Sequence, residues 1–342
     1  MANAKRPAQN GPAQNGPAQN RPAQQRIDPS RVQRAGKSGR PGGQPPRVLV
    51  KKATARDWIG GARLRTLPLA VAPVALGTAS AYLVSAPGWH WVRALLALAV
   101  AVGIQIGVNY ANDYSDGIRG TDKYRVGPSR LTGSGAAKPR TVRTVAFVFF
   151  GLGGLAGLIL VARSGQYWLL AVGVVSIVAA YFYTGGKRPY GYAGLGELFV
   201  FVFFGLVATI GTTYTQVGSI PVESVASGVA AGLLACAVLM VNNIRDIDQD
   251  RLAKKRTLAV LVGSRAARVI FAFFVVVPFV ILFFFSLLYP LAPYVYFALL
   301  AAVPAIIITF TGKKAPEFII ALQLTSLTAL LFGLGLAAAI AF

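Results

Sequence analysis

The run Trp91-Val-Arg-Ala-Leu-Leu-Ala-Leu-Ala-Val-Ala-Val-Gly-Ile-Gln-Ile-Gly-Val-Asn-Tyr-Ala-Asn-Asp-Tyr-Ser-Asp-Gly-Ile-Arg-Gly-Thr-Asp122 decides the fold. Its first part is apolar over about the 20 residues that a helix needs to cross a bilayer. Its end carries three aspartates. Asn109, Asp113 and Asp116 stand at i, i+4 and i+7, so a helix that continues past the apolar part gathers them on one face, with Asn112 beside them. Gly117 and Gly120 permit the helix to break there and to swing Asp122 back toward the same point.

The device recurs at Asn242-Asn-Ile-Arg-Asp-Ile-Asp-Gln-Asp250, again at the end of an apolar run, with Asn242, Asp246 and Asp250 at i, i+4 and i+8. The chain has only 11 acidic residues in 342, and six of them fall in these two stretches. Carboxylates gathered at a membrane boundary repel one another unless cations lie between them. Oxygen ligands without His or Cys suit Mg²⁺ rather than zinc or iron.

Composition sets the class. Hydrophobic residues make up 55%, charged residues 13%, and the mean hydropathy is +0.57. That is an all-helical membrane protein with many spans, not a soluble domain. The net charge of +23 is no sign of nucleic acid, because Lys and Arg collect on one membrane face. The single Cys236 lies in an apolar run and reads as a core residue. The single His90 has no second His or Cys near it in sequence, which argues against a metal role.

Residues 1–55 are of different material. An imperfect five-residue repeat rich in Pro, Gln, Asn and Gly carries almost no apolar bulk, so this segment is expected to be a disordered basic cytoplasmic tail. It holds 11 of the 34 Lys and Arg, which could adhere to anionic lipid. It has no apolar core of the kind a secretory signal peptide carries.

Residues 56–342 read as the membrane domain. Nine apolar runs are long enough to span, at about 66–86, 91–111, 142–162, 167–185, 195–215, 225–243, 267–288, 292–310 and 318–341. Gly151, Gly153, Gly154 and Gly157 read as sites of close helix packing. Nearly all Lys and Arg fall in the tail and in the loops after spans two, four, six and eight, so the N-terminus is expected in the cytoplasm and the C-terminus outside. The aspartate stretches follow spans two and six, which suggests two four-helix halves plus a ninth helix. Carboxylates from both halves around a cytoplasmic cavity could hold Mg²⁺ on a diphosphate. Basic candidates to complete that grip include Arg119, Lys123, Arg130, Lys187, Arg188, Arg245, Lys254, Lys255 and Arg256. Aromatic candidates to face an allylic cation are Tyr110, Tyr114, Tyr181, Tyr183, Phe203, Phe204 and Tyr214.

These residues resemble the UbiA superfamily of intramembrane prenyltransferases. Asn112-Asp113-x-x-Asp116 is similar to that family's first motif, Asp246-x-x-x-Asp250 to its second, and Tyr183-x-x-x-Lys187 to its Tyr-x-x-x-Lys element. The segments Tyr183-Thr-Gly-Gly-Lys-Arg-Pro-Tyr-Gly-Tyr, Gly194-Leu-Gly-Glu-Leu-Phe-Val-Phe, Lys255-Arg-Thr-Leu-Ala-Val and Arg63-Leu-Arg-Thr-Leu-Pro resemble the members that act on 1,4-dihydroxy-2-naphthoate in menaquinone synthesis. The likeness runs from about residue 60 to 342. Asp122 stands six residues after Asp116, and position 254 is Lys where relatives often carry Gly.

The resemblance implies a nine-helix bundle in the plasma membrane and a Mg²⁺-dependent polyprenyl transfer from a polyprenyl diphosphate to the naphthoate, with loss of CO₂. It implies Asp113, Asp116, Asp246 and Asp250 as the metal ligands and catalytic acids, together with Lys187. It implies Asn109, Asn112, Arg119, Asp122, Tyr183, Arg188, Asn242, Arg245 and Lys255 around the substrates. The partners are then the two substrates and the lipid bilayer, with no nucleic acid. Two rivals stand beside this reading: a superfamily member with another acceptor such as 4-hydroxybenzoate, and, in a different class, a secondary transporter. The transporter is disfavoured because the acids lie at one membrane face rather than at the midplane.

Overall fold

A computed structural model describes residues 52–85, 90–124 and 130–342. The expected tail falls outside them except for its last residues. The described chain is helical throughout, with no strand among the described residues. A short amphipathic helix α1 (Ala55–Ala62) leads through a 3-10 turn (Leu64–Thr66) into α2 (Pro68–Val84). Then come α3 (Trp91–Arg119), α4 (Pro139–Ser164), α5 (Leu169–Phe182), α6 (Gly196–Val217), α7 (Val222–Arg245) and a short α8 (Ile247–Leu252). The last three are α9 (Leu258–Leu288), α10 (Ala292–Thr311) and α11 (Ala315–Ala341).

Every expected apolar run has its helix. Seven of these helices, α3, α4, α6, α7, α9, α10 and α11, are each long and apolar enough to cross a membrane. The segment Ala55–Thr66 and α2 meet at a bend of 46° and make an eighth as a broken span. Helix α5 has 14 residues, about 21 Å at 1.5 Å per residue against a hydrocarbon core of about 30 Å. By length the described residues therefore give seven or eight spans, and the expected ninth depends on α5.

Two apolar cores position the site. The larger joins α2, α7, α9, α10 and α11 around Leu76, Leu234, Met240, Phe271 and Phe332. The smaller joins α1, α3, α4 and the end of α5 around Tyr110, Val142 and Phe150. Glycine lets α3 and α4 approach: a Cβ on Gly103 would stand 3.0 Å from the Gly153 backbone, and one on Gly107 would overlap the Phe150 ring. Gly153 thus packs as expected. Gly151, Gly154 and Gly157 do not press on a neighbouring helix; they line the cavity described below. Helix α6 carries a π-helical stretch over Phe201–Val207, where Gly205 meets Gly232 of α7 at backbone distance. Cys236 is buried, with its thiol on the Glu197 carbonyl, as a core residue should be.

Candidate active site

Helix α3 runs unbroken through its polar end to Arg119. Gly120 closes it in the left-handed conformation (φ 72°). Gly117 is not the break that the sequence suggests. It sits inside the helix because a Cβ there would strike Thr132 at 2.3 Å, so its role is to admit the loop 130–137 against the helix.

That loop separates the aspartates. Both Asp113 oxygens accept backbone N–H groups from it, Leu131 at 2.9 Å and Thr132 at 2.8 Å. Asp113 is 2% exposed and does not line the cavity. Asp116 lies about 60° from it around the helix at 100° per residue, and does line the cavity, with Asn109 and Asn112. Of the four carboxylates expected to bind metal, three therefore reach the cavity: Asp116, Asp246 and Asp250. The geometry turns Asp113 away because its two oxygens already satisfy two buried amides.

The loop also delivers Arg130. Its Nη1 pairs with Asp116 Oδ2 at 2.5 Å and donates to the Asn112 carbonyl at 2.9 Å, and its Nε lies 3.5 Å from Asp122 Oδ1. Asp122 itself is not on the cavity wall; it backs Arg130. Burial opposes the Arg130 charge, but Asp116, Asp122 and Asp113 together more than offset it and hold the guanidinium firmly protonated.

The second stretch is built otherwise. Helix α7 ends at Arg245, and Asp246 sits at the break (φ −99°, ψ 10°) before α8 begins at Ile247. The break, not one continuous helix, brings both Asp246 and Asp250 to the cavity. Arg245 forks onto Asp246, Nε to Oδ1 at 2.7 Å and Nη2 to Oδ2 at 2.5 Å, and also reaches Asn242 Oδ1 at 2.8 Å. Asp248 faces out, 77% exposed, and pairs with Arg251. On the cavity wall Asn243 donates to the buried Glu197 carboxylate at 3.0 Å.

The segments that follow both aspartate stretches meet at Asp116. Lys255, from the loop after α8, places its Nζ 3.2 Å from Asp116 Oδ2 and 4.6 Å above the Tyr192 ring. Tyr192 donates its phenol to Asp116 Oδ1 and its carbonyl accepts the Arg256 N–H at 3.0 Å. Burial first, then the Asp116 carboxylate, push the Tyr192 phenol up, so it is a neutral donor at physiological pH. Lys254 takes the left-handed conformation (φ 57°), so this turn keeps a geometry suited to Gly with Lys in place.

Residues 183–192 form the third loop. Thr184 donates to Asn112 Oδ1 at 2.7 Å, and Tyr183 lines the cavity with its ring against Tyr190. Arg119 is exposed and clasps this loop through the carbonyls of Thr184 and Gly186, outside the cavity. Lys187 and Arg188 are exposed and do not line the cavity. The cations that do line it are Arg63, Arg65, Arg130, Arg245 and Lys255. Of the expected aromatics, Tyr183, Phe203 and Phe204 line it; Tyr110 is core, hydrogen-bonded to the Trp58 carbonyl. The side chain of Lys123 lies outside the described residues.

The cavity holds about 900 Å³. One end carries the carboxylates, amides and cations; the rest is apolar wall from α3, α4, α5 and α6, including Gly151, Leu158, Gly173, Phe203 and Gly211. Such a vessel suits a long molecule with an anionic head and a hydrocarbon body.

The donors fit Mg²⁺. Asp116, Asp246 and Asp250 offer hard oxygens, and Asn109, Asn112 and Asn242 offer amides. Among the described residues no three acidic, His or Cys side chains converge closely enough to hold a cation unaided.

The chain's residues 70–317 match the UbiA prenyltransferase family, and the chain belongs to that family. Among individual relatives, it is 49% identical to the 1,4-dihydroxy-2-naphthoate octaprenyltransferase of Mycobacterium tuberculosis, over 85% of this chain and 98% of that one. The Escherichia coli protein of the same name is 41% identical over 62% of this chain and 70% of its own. Among solved structures, a UbiA homolog from Aeropyrum pernix K1 superposes with a TM-score of 0.59 at 17% identity, over 79% of this chain and 97% of that one. A UbiA homolog from Archaeoglobus fulgidus bound to GPP and Mg²⁺ gives 0.54 at 15%, over 84% and 100%. Both share the fold.

Proposed function

We propose that this protein transfers a polyprenyl group from a polyprenyl diphosphate to 1,4-dihydroxy-2-naphthoate, a step of menaquinone synthesis. The observation that carries this is one cavity in which carboxylates from both aspartate stretches and cations form one end and hydrocarbon wall forms the rest. The near full-length likeness to the M. tuberculosis naphthoate enzyme supports the choice of acceptor.

The diphosphate lies between Asp116 and the Asp246/Asp250 pair, with the polyprenyl chain along α4, α5 and α6. Mg²⁺, when bound by those carboxylates, offsets diphosphate charge. Arg130 and Lys255 stand beside Asp116 and stabilise charge that develops on the leaving oxygen. The allylic C–O bond breaks and its electron pair leaves with the diphosphate. A ring carbon of the naphthoate supplies the pair for the new C–C bond. Attack at the carboxylated carbon balances without a proton: the C–CO₂ bond pair returns to the ring as CO₂ departs, leaving demethylmenaquinone in its quinol form. Tyr183, Tyr190 and Phe199 line the same cavity with their rings packed against one another, aromatic surface suited to an allylic cation. The site opens to the cytoplasm, with the N-terminus on that side of the plasma membrane and the C-terminus outside, as the basic loops favour.

The test uses purified protein in detergent with Mg²⁺, a polyprenyl diphosphate and a panel of aromatic acids. Pyrophosphate and CO₂ should appear in equal amounts with 1,4-dihydroxy-2-naphthoate. A clear preference for 4-hydroxybenzoate, or prenylation with the carboxylate retained, contradicts the naphthoate assignment.

A further inference from the structure

We infer that Arg65 is the residue that recognises the carboxylate of the aromatic acceptor. This deepens the proposed reaction and rests on it.

Of the cations on the cavity wall, three are committed to the aspartate stretches. Arg130 and Lys255 pair with Asp116, and Arg245 pairs with Asp246. Arg65 is half-buried on the same wall, and among the described residues its guanidinium has neither a carboxylate nor a hydrogen-bond acceptor. It lies close enough to Arg245 for the two like charges to repel, and the Arg245 charge is already answered by Asp246. A half-buried guanidinium without a counter-charge is costly, and an anion entering the cavity relieves that cost.

The backbone around Arg65 is fixed. Ser326 of α11 donates to the Arg65 carbonyl at 2.5 Å, Asn109 of α3 donates to the Ala62 carbonyl at 2.9 Å, and Gln105 of α3 donates to the Thr66 carbonyl. Side chains of two helices thus hold one short turn in place, with Arg65 on the cavity wall. A planar guanidinium matches a carboxylate through two parallel hydrogen bonds, which an ammonium group cannot copy.

The acceptor must bring a ring carbon to the allylic carbon, which is bonded to the diphosphate. Its carboxylate therefore falls within a ring's width of the polar end, beside the diphosphate rather than on it. Arg63 and Arg65 are the two lining cations outside those pairs, and Arg65, beside Arg245, is the one assigned to that anion. A carboxylate held this way is stabilised before reaction, and CO₂ leaves uncharged. The contact therefore acts in acceptor binding and selectivity, not in cleavage of the C–O bond.

The test compares wild type, Arg65→Gln and Arg65→Lys as full chains in detergent, with 1,4-dihydroxy-2-naphthoate and with 1,4-dihydroxynaphthalene, which lacks the carboxylate. Arg65→Gln should cut the preference for the carboxylated ring in kcat/KM by at least about tenfold, the scale of a charge-assisted hydrogen bond. The KM for the acid should rise while the KM for the prenyl diphosphate stays within about twofold. Arg65→Lys should recover part of the preference, which a merely structural defect would not allow. Equal losses on both acceptors, or a rise in the KM for the prenyl diphosphate, would overturn the assignment and place Arg65 on the diphosphate. Loss of selectivity in Arg63→Lys with none in either Arg65 variant would overturn it too. Wild-type use of 4-hydroxybenzoate in place of the naphthoate would refute the proposed reaction instead; the same ratio measured with 4-hydroxybenzoate against phenol then decides Arg65.

Discussion

At the end of α3 one helix runs unbroken past Asp113 and Asp116, and a loop closes over one of them; at the end of α7 the helix breaks on Asp246, and both aspartates face the cavity. The partners differ in the same sense. Asp116 is answered from a distance in sequence, by Arg130, Tyr192 and Lys255, whereas Asp246 is answered by its own neighbour Arg245. The first stretch is thus the meeting point of three loops, whereas Asp246 is paired within its own stretch. An aspartate motif specifies where carboxylates begin, not which of them reach the substrate. The cations, loops and helix ends that pack against it decide that.

This contrast orders the expected effects of substitution. Asp116→Asn and Asp246→Asn remove charge from the cavity on either side and should each lower kcat/KM by about a thousandfold or more, as removal of several kcal/mol of electrostatic stabilisation requires. A lesser loss at one of them would show that one stretch alone carries the diphosphate. Lys255→Gln removes the cation that the loop after α8 brings to Asp116 and should cost about a hundredfold in steady-state turnover. Asp113→Asn keeps one acceptor and loses the other, leaving a buried amide poorly matched. It should destabilise the protein by about 1–3 kcal/mol in thermal or denaturant melts and lower turnover less than Asp116→Asn does. Lys187→Gln and Arg188→Lys change exposed residues off the cavity and should leave both KM values within about threefold, because solvent screens such charges. Asp248→Asn breaks only the exposed pair with Arg251 and should have the smallest effect, within about twofold.

The number of spans was not legible in the sequence, since α5 is shorter than its apolar run, but the apolar helices were, because an apolar stretch needs no knowledge of its neighbours. Both aspartate stretches were legible for the same reason: acids are so rare in this chain that two clusters stand out. Their faces were less so. Helical spacing put Asp113 with Asp116, but the 60° between them was enough for loop 130–137 to claim one and leave the other. The break at Asp246 was hidden because no Gly or Pro marks it. Basic residues were the hardest to sort. Arg119, Lys187 and Arg188 are close to the motifs in sequence yet lie outside the cavity, while Arg65 is over forty positions from either aspartate stretch yet lines it. Arg130 could be named as a candidate, but only tertiary packing pairs it with Asp116. Tyr192 had a weaker signal, as the last residue of the Tyr183–Tyr192 segment. Cation placement depends on loops that carry no hydrophobic period, and period is what sequence reading uses best.

The central claim is that the cavity's carboxylates are Asp116, Asp246 and Asp250, with Asp113 serving the loop. The direct test is Mn²⁺ binding followed by electron paramagnetic resonance, with inorganic pyrophosphate present, in wild type, Asp113→Asn and Asp116→Asn. Asp116→Asn should weaken Mn²⁺ binding by about tenfold or more, while Asp113→Asn should stay within about threefold of wild type despite its lower melting temperature. Equal weakening in both variants would put Asp113 on the metal and contradict the account.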